Sequence, residues 1–254
     1  MRPAIDLNAD LGEGFGHSRL MEDEALLDLV SSANIACGFH AGDATTMLDT
    51  VRAAAARGVA IGAHPSYPDI PGFGRRELGL APREVRFHVA FQLRALRDVC
   101  ATENVKLSYV KPHGALYNRA AKDHAAADAV VSAILDVDAS LVLLGLAGSE
   151  MARAAEKRGV TFAAEAFADR AYRHDGSLVP RSEPGAVIHD VRAAVDRAIT
   201  LVKSNTITAQ DGATLSVTAQ SLCVHGDNPD AAPLLRELRA RLLEAGVSIA
   251  PFAA

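Results

Sequence analysis

Four histidines of this chain come shortly after short apolar runs. They are His40, His64, His113 and His225, out of nine histidines in the sequence. Imidazole titrates near neutral pH and is the commonest metal ligand, so histidines in such positions indicate acid–base or metal chemistry. A single histidine after a strand is usually bonded to a nearby carbonyl group. Four of them in equivalent positions favour a functional site.

Carboxylates and a lysine occupy the same kind of position. Asp6, Asp10 and Glu13 lie in or after the first apolar run, and Lys111 follows the fourth. Such groups can act as general acids and bases or stabilise developing charge. The candidate catalytic residues are Asp6, Asp10, Glu13, His40, His64, Lys111, His113, His225 and Asp227.

Asp6 and Lys111 are polar where their neighbours in sequence are apolar. A buried charge is costly unless it is paired, so each residue needs a partner or a catalytic role. Asp6 could be a helix cap or the ion-pair partner of Lys111, or it could be a general base or a metal ligand. Lys111 could place its ammonium against a developing oxyanion or a transferring phosphoryl group.

A second group of residues could bind a ligand. Arg75 and Arg76 lie in a glycine-rich segment, and paired arginines suit a carboxylate or a phosphate. We expect a mobile flap there, with a solvated loop as the alternative. Asp43 could instead cap the helix that follows it. The candidate substrate-binding residues are Asn8, Asp43, Arg75, Arg76, Tyr117, Asn118, Glu165, Asp169 and Arg170.

The three cysteines, Cys37, Cys100 and Cys223, are far apart and form no CxxC pair. Sparse cysteines without framework spacing indicate a reducing compartment. Cys37 could be a nucleophile. A small buried apolar residue is the more common fate of a free cysteine, and we favour it for Cys37 and Cys223.

Eight short apolar runs set the frame for these residues. They are rich in Val, Ile, Leu and Ala with little alternation, which is typical of strands buried on both faces. Segments of helical period separate them, and Asp43 and Pro82 are start signals for two of these segments. The predicted strands are residues 4–7, 33–36, 59–63, 107–110, 141–144, 160–164, 222–224 and 247–250, and the punctuated helices are residues 44–57, 84–99, 150–158 and 233–245.

This alternation predicts an α/β fold, a closed (β/α) barrel of the TIM type in one domain spanning residues 1–254. A doubly wound open sheet is the alternative. The C-terminal ends of barrel strands share the face that carries the active site. We therefore expect one pocket to be bordered by Asp6, Asp10, His40, His64, His113 and His225.

Several classes of protein are excluded. The net charge of −5 and pI near 6.0 do not fit a nucleic-acid binder. No window reaches the roughly 20 apolar residues of a membrane span, and the N-terminus does not resemble a secretory signal, so we expect a cytoplasmic protein. No GxxxxGK[ST] motif is present. Any ATP must therefore be bound by a device other than a P-loop.

Taken together, these motifs resemble the LamB/YcsF family, which is associated with prokaryotic 5-oxoprolinase. The resemblance implies an irregular barrel of about seven strands, like that of the glycoside hydrolases and polysaccharide deacetylases. It also implies ATP-dependent hydrolysis of 5-oxo-L-proline to L-glutamate, Mg²⁺ accompanying the ATP, and partner subunits B and C. The motifs are residues 5–13, 32–43, 62–69, 72–76, 110–118, 165–170 and 223–227.

The implied reaction matches the residue types. A five-membered lactam is a stable amide, so phosphorylation of its oxygen would precede attack by water. Lys111, Arg170 and the histidines could stabilise charge, and Asp10, Glu13 or Asp227 could be the base. His113 or His225 could be the acid.

Two other functions stay open. One is a metal-dependent amidohydrolase or deacetylase, because aspartate and histidine at barrel strand ends suit a divalent ion. The other is a non-catalytic binding subunit, with the nucleotide held by partner chains. Whether the chain itself binds a metal is left undecided by the sequence.

Overall fold

The structure, a computed structural model, describes residues 4–14, 23–181, 183–224 and 231–253. Each of the eight apolar runs overlaps a strand. The strands are β1 (Ala4–Leu11), β2 (Ser32–Ala36), β3 (Ala60–His64), β4 (Leu107–Val110), β5 (Val142–Leu146), β6 (Phe162–Phe167), β7 (Thr206–Thr208), β8 (Thr214–Ser216), β9 (Ser221–Cys223) and β10 (Ser248–Ile249).

Seven strands close into a parallel barrel. Their order is β1-β2-β3-β4-β5-β6-β9, and β9 pairs in turn with β1 through Asp6 opposite Ser221 and Asn8 opposite Cys223. Strand β10 extends the sheet at the start of β1, where Ala4 lies opposite Ser248. Closure confirms the irregular TIM-like barrel of about seven strands and excludes the open doubly wound sheet.

Helices connect the strands and cover the barrel. Asp43 accepts a hydrogen bond from the Thr46 backbone N–H at the start of α1, and Pro82 opens α2 as a first helical residue. The four punctuated helices are confirmed to within a few residues. The helices are α1 (Ala44–Ala56), α2 (Pro82–Thr102), α3 (Gly114–Ala120), α4 (His124–Val137), α5 (Glu150–Arg158), α6 (Val191–Ser204) and α7 (Ala231–Glu244).

Strand β1 is longer than its apolar run. Leu7, Ala9 and Leu11 belong to the apolar core, and the residues between them are polar. Successive side chains of a strand point to opposite faces, so Asp6 and Asp10 both face the barrel interior. Both carboxylates lie within β1, whereas the sequence predicted a strand that contains Asp6 and ends before Asp10. The polar residues of its second half hid that part of β1.

Two further features complete the description. Strands β7 and β8 form a small antiparallel pair that the sequence analysis did not predict, because each spans only three residues. Within the described ranges, no helix combines the length and the apolar composition needed to cross a membrane.

Candidate active site

A cavity of about 740 Å³ opens where the barrel strands end. Asp10 lies near the end of β1, His64 is the last residue of β3, and Lys111 directly follows β4. All three line the cavity, together with His113 and Tyr117. The prediction that polar residues after different strands converge is thereby confirmed for these positions.

The ammonium of Lys111 is buried among groups that can accept its hydrogen bonds. Its Nζ lies 3.1 Å from Asp10 Oδ1, 3.3 Å from Glu165 Oε2 and 3.1 Å from Asn8 Oδ1. Burial acts to lower the pKa of Lys111, but the Asp10 and Glu165 carboxylates outweigh it and hold the pKa well above its ordinary value. A permanent positive charge therefore lies at the floor of the cavity.

Asp6 has a different environment, deeper in the barrel. Its carboxylate accepts hydrogen bonds from Ser31 and Ser32, both at 2.6 Å, and from Ser221. Burial raises its pKa to about 6, although the three hydroxyls act in the opposite direction. The suggested Asp6–Lys111 ion pair is wrong, because Lys111 pairs with Asp10 and Glu165. Asp6 itself does not line the cavity.

His64 and His113 are held by backbone carbonyl groups. Nδ1 of His64 lies 2.7 Å from the Lys111 carbonyl oxygen, and Nε2 of His113 lies 2.9 Å from that of Phe73. A carbonyl oxygen only accepts, so each of these nitrogens carries the hydrogen. The remaining nitrogens, His64 Nε2 and His113 Nδ1, face each other at 3.0 Å.

Glu13 and His40 complete this group. His40 Nε2 lies 3.0 Å from Glu13 Oε1, which also lies 3.3 Å from His113 Nδ1 and 3.9 Å from His64 Nε2. The His40 ring stacks on that of His113, with centroids 3.9 Å apart. One potential ligand atom from each of the four side chains lies within 4.8 Å of the others. We call Glu13, His40, His64 and His113 the imidazole cluster.

Two histidines of this cluster, His40 and His113, are kept neutral. Burial, reinforced by His64, lowers the pKa of His40 to about 3. Burial and the neighbouring His40 likewise hold the pKa of His113 well below its ordinary value. A general acid must carry a transferable proton, so the low pKa disfavours the predicted acid role of His113. A neutral imidazole suits a proton acceptor or a metal ligand.

The glycine-rich segment packs against the imidazole cluster. Gly74 has φ of +64°, and a Cβ there would run into Ser66, His40 and His113. Its carbonyl accepts from the Ala115 N–H at 2.9 Å, which ties the segment to the start of α3. Glycine is required here for both its conformation and its size. The predicted mobility of this segment stays a prediction.

The two arginines of that segment point to different partners. Arg75 lines the cavity, and its guanidinium lies 5.2 Å from the centre of the Phe73 ring. Arg76 forms an ion pair with the buried carboxylate of Asp69. Arg75 therefore borders the space that a ligand would occupy, and Arg76 holds Asp69.

The other predicted substrate-binding residues also divide. Tyr117, Asn118 and Arg170 line the cavity. Asn8 and Glu165 are fully buried in the barrel beneath it, where Asn8 donates to Ser221 Oγ at 2.7 Å and Glu165 pairs with Lys111.

Asp43 and Asp169 do not line the cavity. The Asp43 side chain is an exposed helix cap, which confirms the capping alternative, and its role in substrate binding stays a prediction. Asp169 is buried next to Arg170 in sequence. His225 and Asp227 lie outside the described residues.

Cys223 was underestimated by the sequence analysis. It is buried, as expected, but its Sγ accepts from Lys111 Nζ at 3.1 Å. Burial raises the pKa of this thiol well above its ordinary value, so it is a neutral partner of the ammonium. Cys37 is buried too, and burial raises the pKa of its thiol to about 12, which fits a packing role.

Polar partners inside the barrel were also missed. Asn34 donates to Asp10 Oδ1 at 2.8 Å and to Asn8 Oδ1 at 2.7 Å, and the Tyr109 hydroxyl donates to Asn34 at 2.7 Å. A polar residue inside the apolar run of β2 was the signal that could have found Asn34. Residues 175–181, which form part of the cavity wall, carry no comparable signal.

Comparison with known proteins identifies the family. The family model described as "LamB/YcsF family" matches residues 5–254. The chain belongs to the LamB/YcsF family. This LamB/YcsF protein is 52% identical over 249 residues to the 5-oxoprolinase A subunit of Streptomyces avermitilis, covering 98% of this chain and 100% of that one. It is 50% identical over 249 residues to the 5-oxoprolinase A subunit of Bordetella pertussis, with 98% and 99% covered.

Solved structures agree with this assignment. The lactam utilization protein of Thermus thermophilus matches with a TM-score of 0.90 and 43% identity, covering 98% of this LamB/YcsF chain and 100% of that chain. A family 4 carbohydrate esterase of Streptomyces lividans matches with a TM-score of 0.51 at 11% identity, over 97% of this chain and 91% of its own. The esterase shows a shared fold alone.

Proposed function

We propose that this chain is the A subunit of an ATP-dependent 5-oxoprolinase, which hydrolyses 5-oxo-L-proline to L-glutamate while ATP is hydrolysed to ADP and phosphate. The observation that carries the proposal is the buried Lys111 ammonium, held by two carboxylates at the floor of a cavity. The names of relatives that are about half identical over nearly the whole chain support it.

The charges that line the cavity suit an anionic ligand. Among the residues that the structure describes, six cationic side chains line it against three carboxylates, those of Asp10, Glu77 and Asp175. The carboxylate of 5-oxoproline and the phosphates of ATP are both anions, and guanidinium groups bind such oxygens in a bidentate manner. The cationic side chains are Arg75, Lys111, Arg119, Lys122, Arg170 and Arg181.

We assign Lys111 the role of stabilising the negative charge that develops during the reaction. When water attacks the carbonyl carbon of the lactam, negative charge accumulates on the oxygen; when it attacks an O-phosphorylated form, charge accumulates on the ring nitrogen and then on the departing phosphate. A fixed ammonium in a water-poor site stabilises that charge without reorganisation. The carboxylates of Asp10 and Glu165 keep the ammonium charged and aimed.

Proton transfer falls to the groups next to Lys111. Asp10 Oδ1 lies 3.4 Å from His64 Nε2, so a carboxylate and an imidazole border the same corner of the cavity. Either can accept a proton from the attacking water. The ring nitrogen of the lactam must gain a proton as the C–N bond breaks, and the same proton can be returned to it.

The partner subunits and the nucleotide are proposed on the basis of the family. We propose subunits B and C as partners, with ATP as co-substrate, Mg²⁺ bound to its phosphates, and a cytoplasmic location. The Arg75 and Lys122 side chains at the cavity are candidates to contact phosphate oxygens. The chain has no P-loop sequence, which fits a nucleotide shared with a partner subunit.

The test is reconstitution. The chain is purified alone, with B and C, and B and C are purified without it; each sample receives 5-oxo-L-proline with or without Mg-ATP. We expect glutamate, ADP and phosphate in equal amounts only when all three subunits and ATP are present. Complete mixtures that release no glutamate would refute the proposal.

The imidazole cluster favours a second candidate function, a metal-dependent amide hydrolase. That enzyme would release glutamate or another amide product from this chain alone and without ATP. A third reading, a subunit that binds substrate without catalysing, predicts 5-oxoproline binding that survives Lys111→Met and a complex whose turnover also survives it.

A further inference from the structure

Two nitrogen lone pairs face each other inside the imidazole cluster. The carbonyl groups of Lys111 and Phe73 place the hydrogens of His64 on Nδ1 and of His113 on Nε2. The opposite nitrogens, His64 Nε2 and His113 Nδ1, are therefore both acceptors, and they lie 3.0 Å apart. Two acceptors at hydrogen-bond distance repel unless a proton or a cation lies between them.

We propose that Glu13, His40, His64 and His113 bind a divalent transition-metal ion of the zinc type. This inference rests on the proposed function only for the role of the ion, because the evidence for binding is the geometry of the four side chains. All three histidines are buried, with exposures of 1% for His40, 1% for His64 and 4% for His113.

The spacing of the donor atoms fits such an ion. Ligands at about 2.0–2.1 Å from a tetrahedral zinc ion are separated by roughly 3.3 Å. His40 Nε2 and Glu13 Oε1 are 3.0 Å apart, and His113 Nδ1 and Glu13 Oε1 are 3.3 Å apart. The longest of the Glu13 separations is 3.9 Å, to His64 Nε2. A single ion can therefore reach all four atoms after small side-chain shifts.

The surroundings already hold the ligands in place. Metal-binding histidines usually donate their second ring N–H to a carbonyl or carboxylate, which fixes the ring and its tautomer. His64 and His113 both do so, through main-chain carbonyls that the fold fixes. Gly74 closes the outer side of His40 and His113, where any larger residue would collide with them.

His40 is held differently. Its Nδ1 is buried without a hydrogen-bond partner in the described part of the chain. Nothing on that side fixes its tautomer, so Nε2 is free to become the lone-pair donor once an ion replaces its hydrogen bond to Glu13. The stack on His113 keeps the ring oriented in either state.

The donor set selects the class of ion. Mg²⁺ and Ca²⁺ prefer oxygen ligands, whereas three imidazoles and one carboxylate suit zinc and its transition-metal neighbours. Such an ion beside the cavity would polarise a bound carbonyl or lower the pKa of a bound water. Asp10, whose carboxylate lies 3.4 Å from His64 Nε2, borders the same position.

The first experiment measures binding itself. Protein without a histidine tag is purified without added metal, its metal content is determined, and chelator-treated protein is titrated with Zn²⁺ and with Co²⁺. We expect about one ion per chain and, with Co²⁺, visible absorption bands of a tetrahedral or five-coordinate site. Protein that neither contains nor binds either ion at micromolar concentration overturns the proposal and leaves a shared proton between the two imidazoles.

The second experiment assigns the ligands. We expect His64→Gln and His113→Gln each to weaken Zn²⁺ binding by roughly 100-fold or more, since even indirect partners of a metal contribute 10–100-fold. His124→Gln, at an exposed histidine outside the cluster, is the matched control and should bind normally. Circular dichroism and thermal unfolding of each variant separate lost ligands from lost folding.

If a variant in the barrel fails to fold, Glu13→Gln provides a milder change, because it keeps the side-chain volume and removes only the charge. It should weaken Zn²⁺ binding while the protein stays folded. Unaltered Zn²⁺ affinity in folded His64→Gln and Glu13→Gln proteins refutes this set of ligands. Metal binding without 5-oxoprolinase activity in the complete mixture would refute the proposed function alone, and activity of metal-free protein would refute the metal's role alone.

Discussion

Two carboxylates on the same face of β1 have opposite surroundings. Asp6 lies deep in the barrel and is bonded by three serine hydroxyls, whereas Asp10 lies at the cavity beside the ammonium of Lys111 and the imidazole of His64. Hydroxyls donate hydrogen bonds but carry no charge, so they satisfy Asp6 without neutralising it. The residues around Asp6 therefore stabilise the barrel, whereas those around Asp10 are placed to contact a ligand in the cavity.

The two groups of residues also differ in whether a ligand can reach them. The lower layer, around Asp6, is closed to solvent, whereas the upper layer of Asp10, Lys111, His64 and His113 lines the cavity. A ligand can therefore act on the upper layer alone. Mutations in the upper layer should change activity, and mutations in the lower layer should change stability and its dependence on pH.

The largest expected effect comes from Lys111→Met. Removing the ammonium leaves Asp10 and Glu165 buried without their cation, which should cost about 3–5 kcal/mol of unfolding free energy. Loss of one electrostatic stabiliser should also lower glutamate release by the complete complex by about 100-fold or more. Urea unfolding and glutamate assays measure the two effects, with Lys203→Met, at an exposed lysine, as the control.

A double variant separates the two roles of Lys111. Glu165→Gln with Lys111→Met removes one carboxylate together with the cation but leaves Asp10 in place, so stability should partly return. Activity should stay low if the ammonium acts on the substrate. Recovered glutamate release in the double variant would mean that Lys111 only neutralises its neighbours.

Asp6→Asn should remove a pH dependence of stability. The folded pKa of about 6 lies above the ordinary value of 3.8, so the native state holds the proton more tightly than the unfolded chain. The stabilisation is fully present below about pH 4 and is lost as the pH rises through about 6, a change of about 3 kcal/mol. Urea unfolding at a series of pH values measures it.

The variant should be more stable relative to wild type at pH 7 than at pH 4. Asp98→Asn, at an exposed aspartate, is the control and should follow the wild-type curve. If the unfolding free energies of wild type and Asp6→Asn depend on pH in the same way, Asp6 is not the group that causes the pH dependence. Activity of folded Asp6→Asn should stay near wild type, because the residue does not line the cavity.

A pair of glycine variants tests how tightly the glycine-rich segment packs against the imidazole cluster. Gly74 and Gly79 have φ of +64° and +63°, but only Gly74 has neighbours within reach of an added Cβ. Both alanine variants should share a strain of about 1 kcal/mol. Gly74→Ala should lose a further 1–3 kcal/mol, roughly the cost of overpacking. Equal losses of stability for the two variants, measured by thermal or urea unfolding, would show that the imidazole cluster can shift to accommodate a Cβ at Gly74.

The smallest effect concerns the two arginines. Arg75→Ala should raise KM for 5-oxoproline or ATP about tenfold, equivalent to about 1.4 kcal/mol, with the fold intact. Arg76→Ala should leave KM unchanged and lower stability by about 1 kcal/mol, because it removes the partner of Asp69. An unchanged KM for Arg75→Ala in steady-state assays would show that the Arg75 side chain does not bind either substrate.

Part of the candidate active site could be predicted from the positions of its residues in the sequence. His64 and Lys111 come directly at strand ends, and the apolar runs that precede them mark those ends clearly. The partners of Lys111 could not be predicted, since Asp10, Glu165 and Cys223 come from β1, β6 and β9 and meet only when the barrel closes. The predicted ion pair between Asp6 and Lys111 was wrong for the same reason, because the neighbours of Asp6 are also set by barrel closure.

Three things could be read from the sequence without a structure: the alternation of strands and helices, the charged and polar positions that interrupt the strands, and the family. Local periodicity and capping are properties of neighbouring residues, so they can be read along the chain. The folded barrel was needed to show which carboxylates pair with Lys111 and which ring nitrogens of His64 and His113 carry no hydrogen. Those choices depend on strand register and on two main-chain carbonyls, and register is fixed only when all seven strands pair around the barrel.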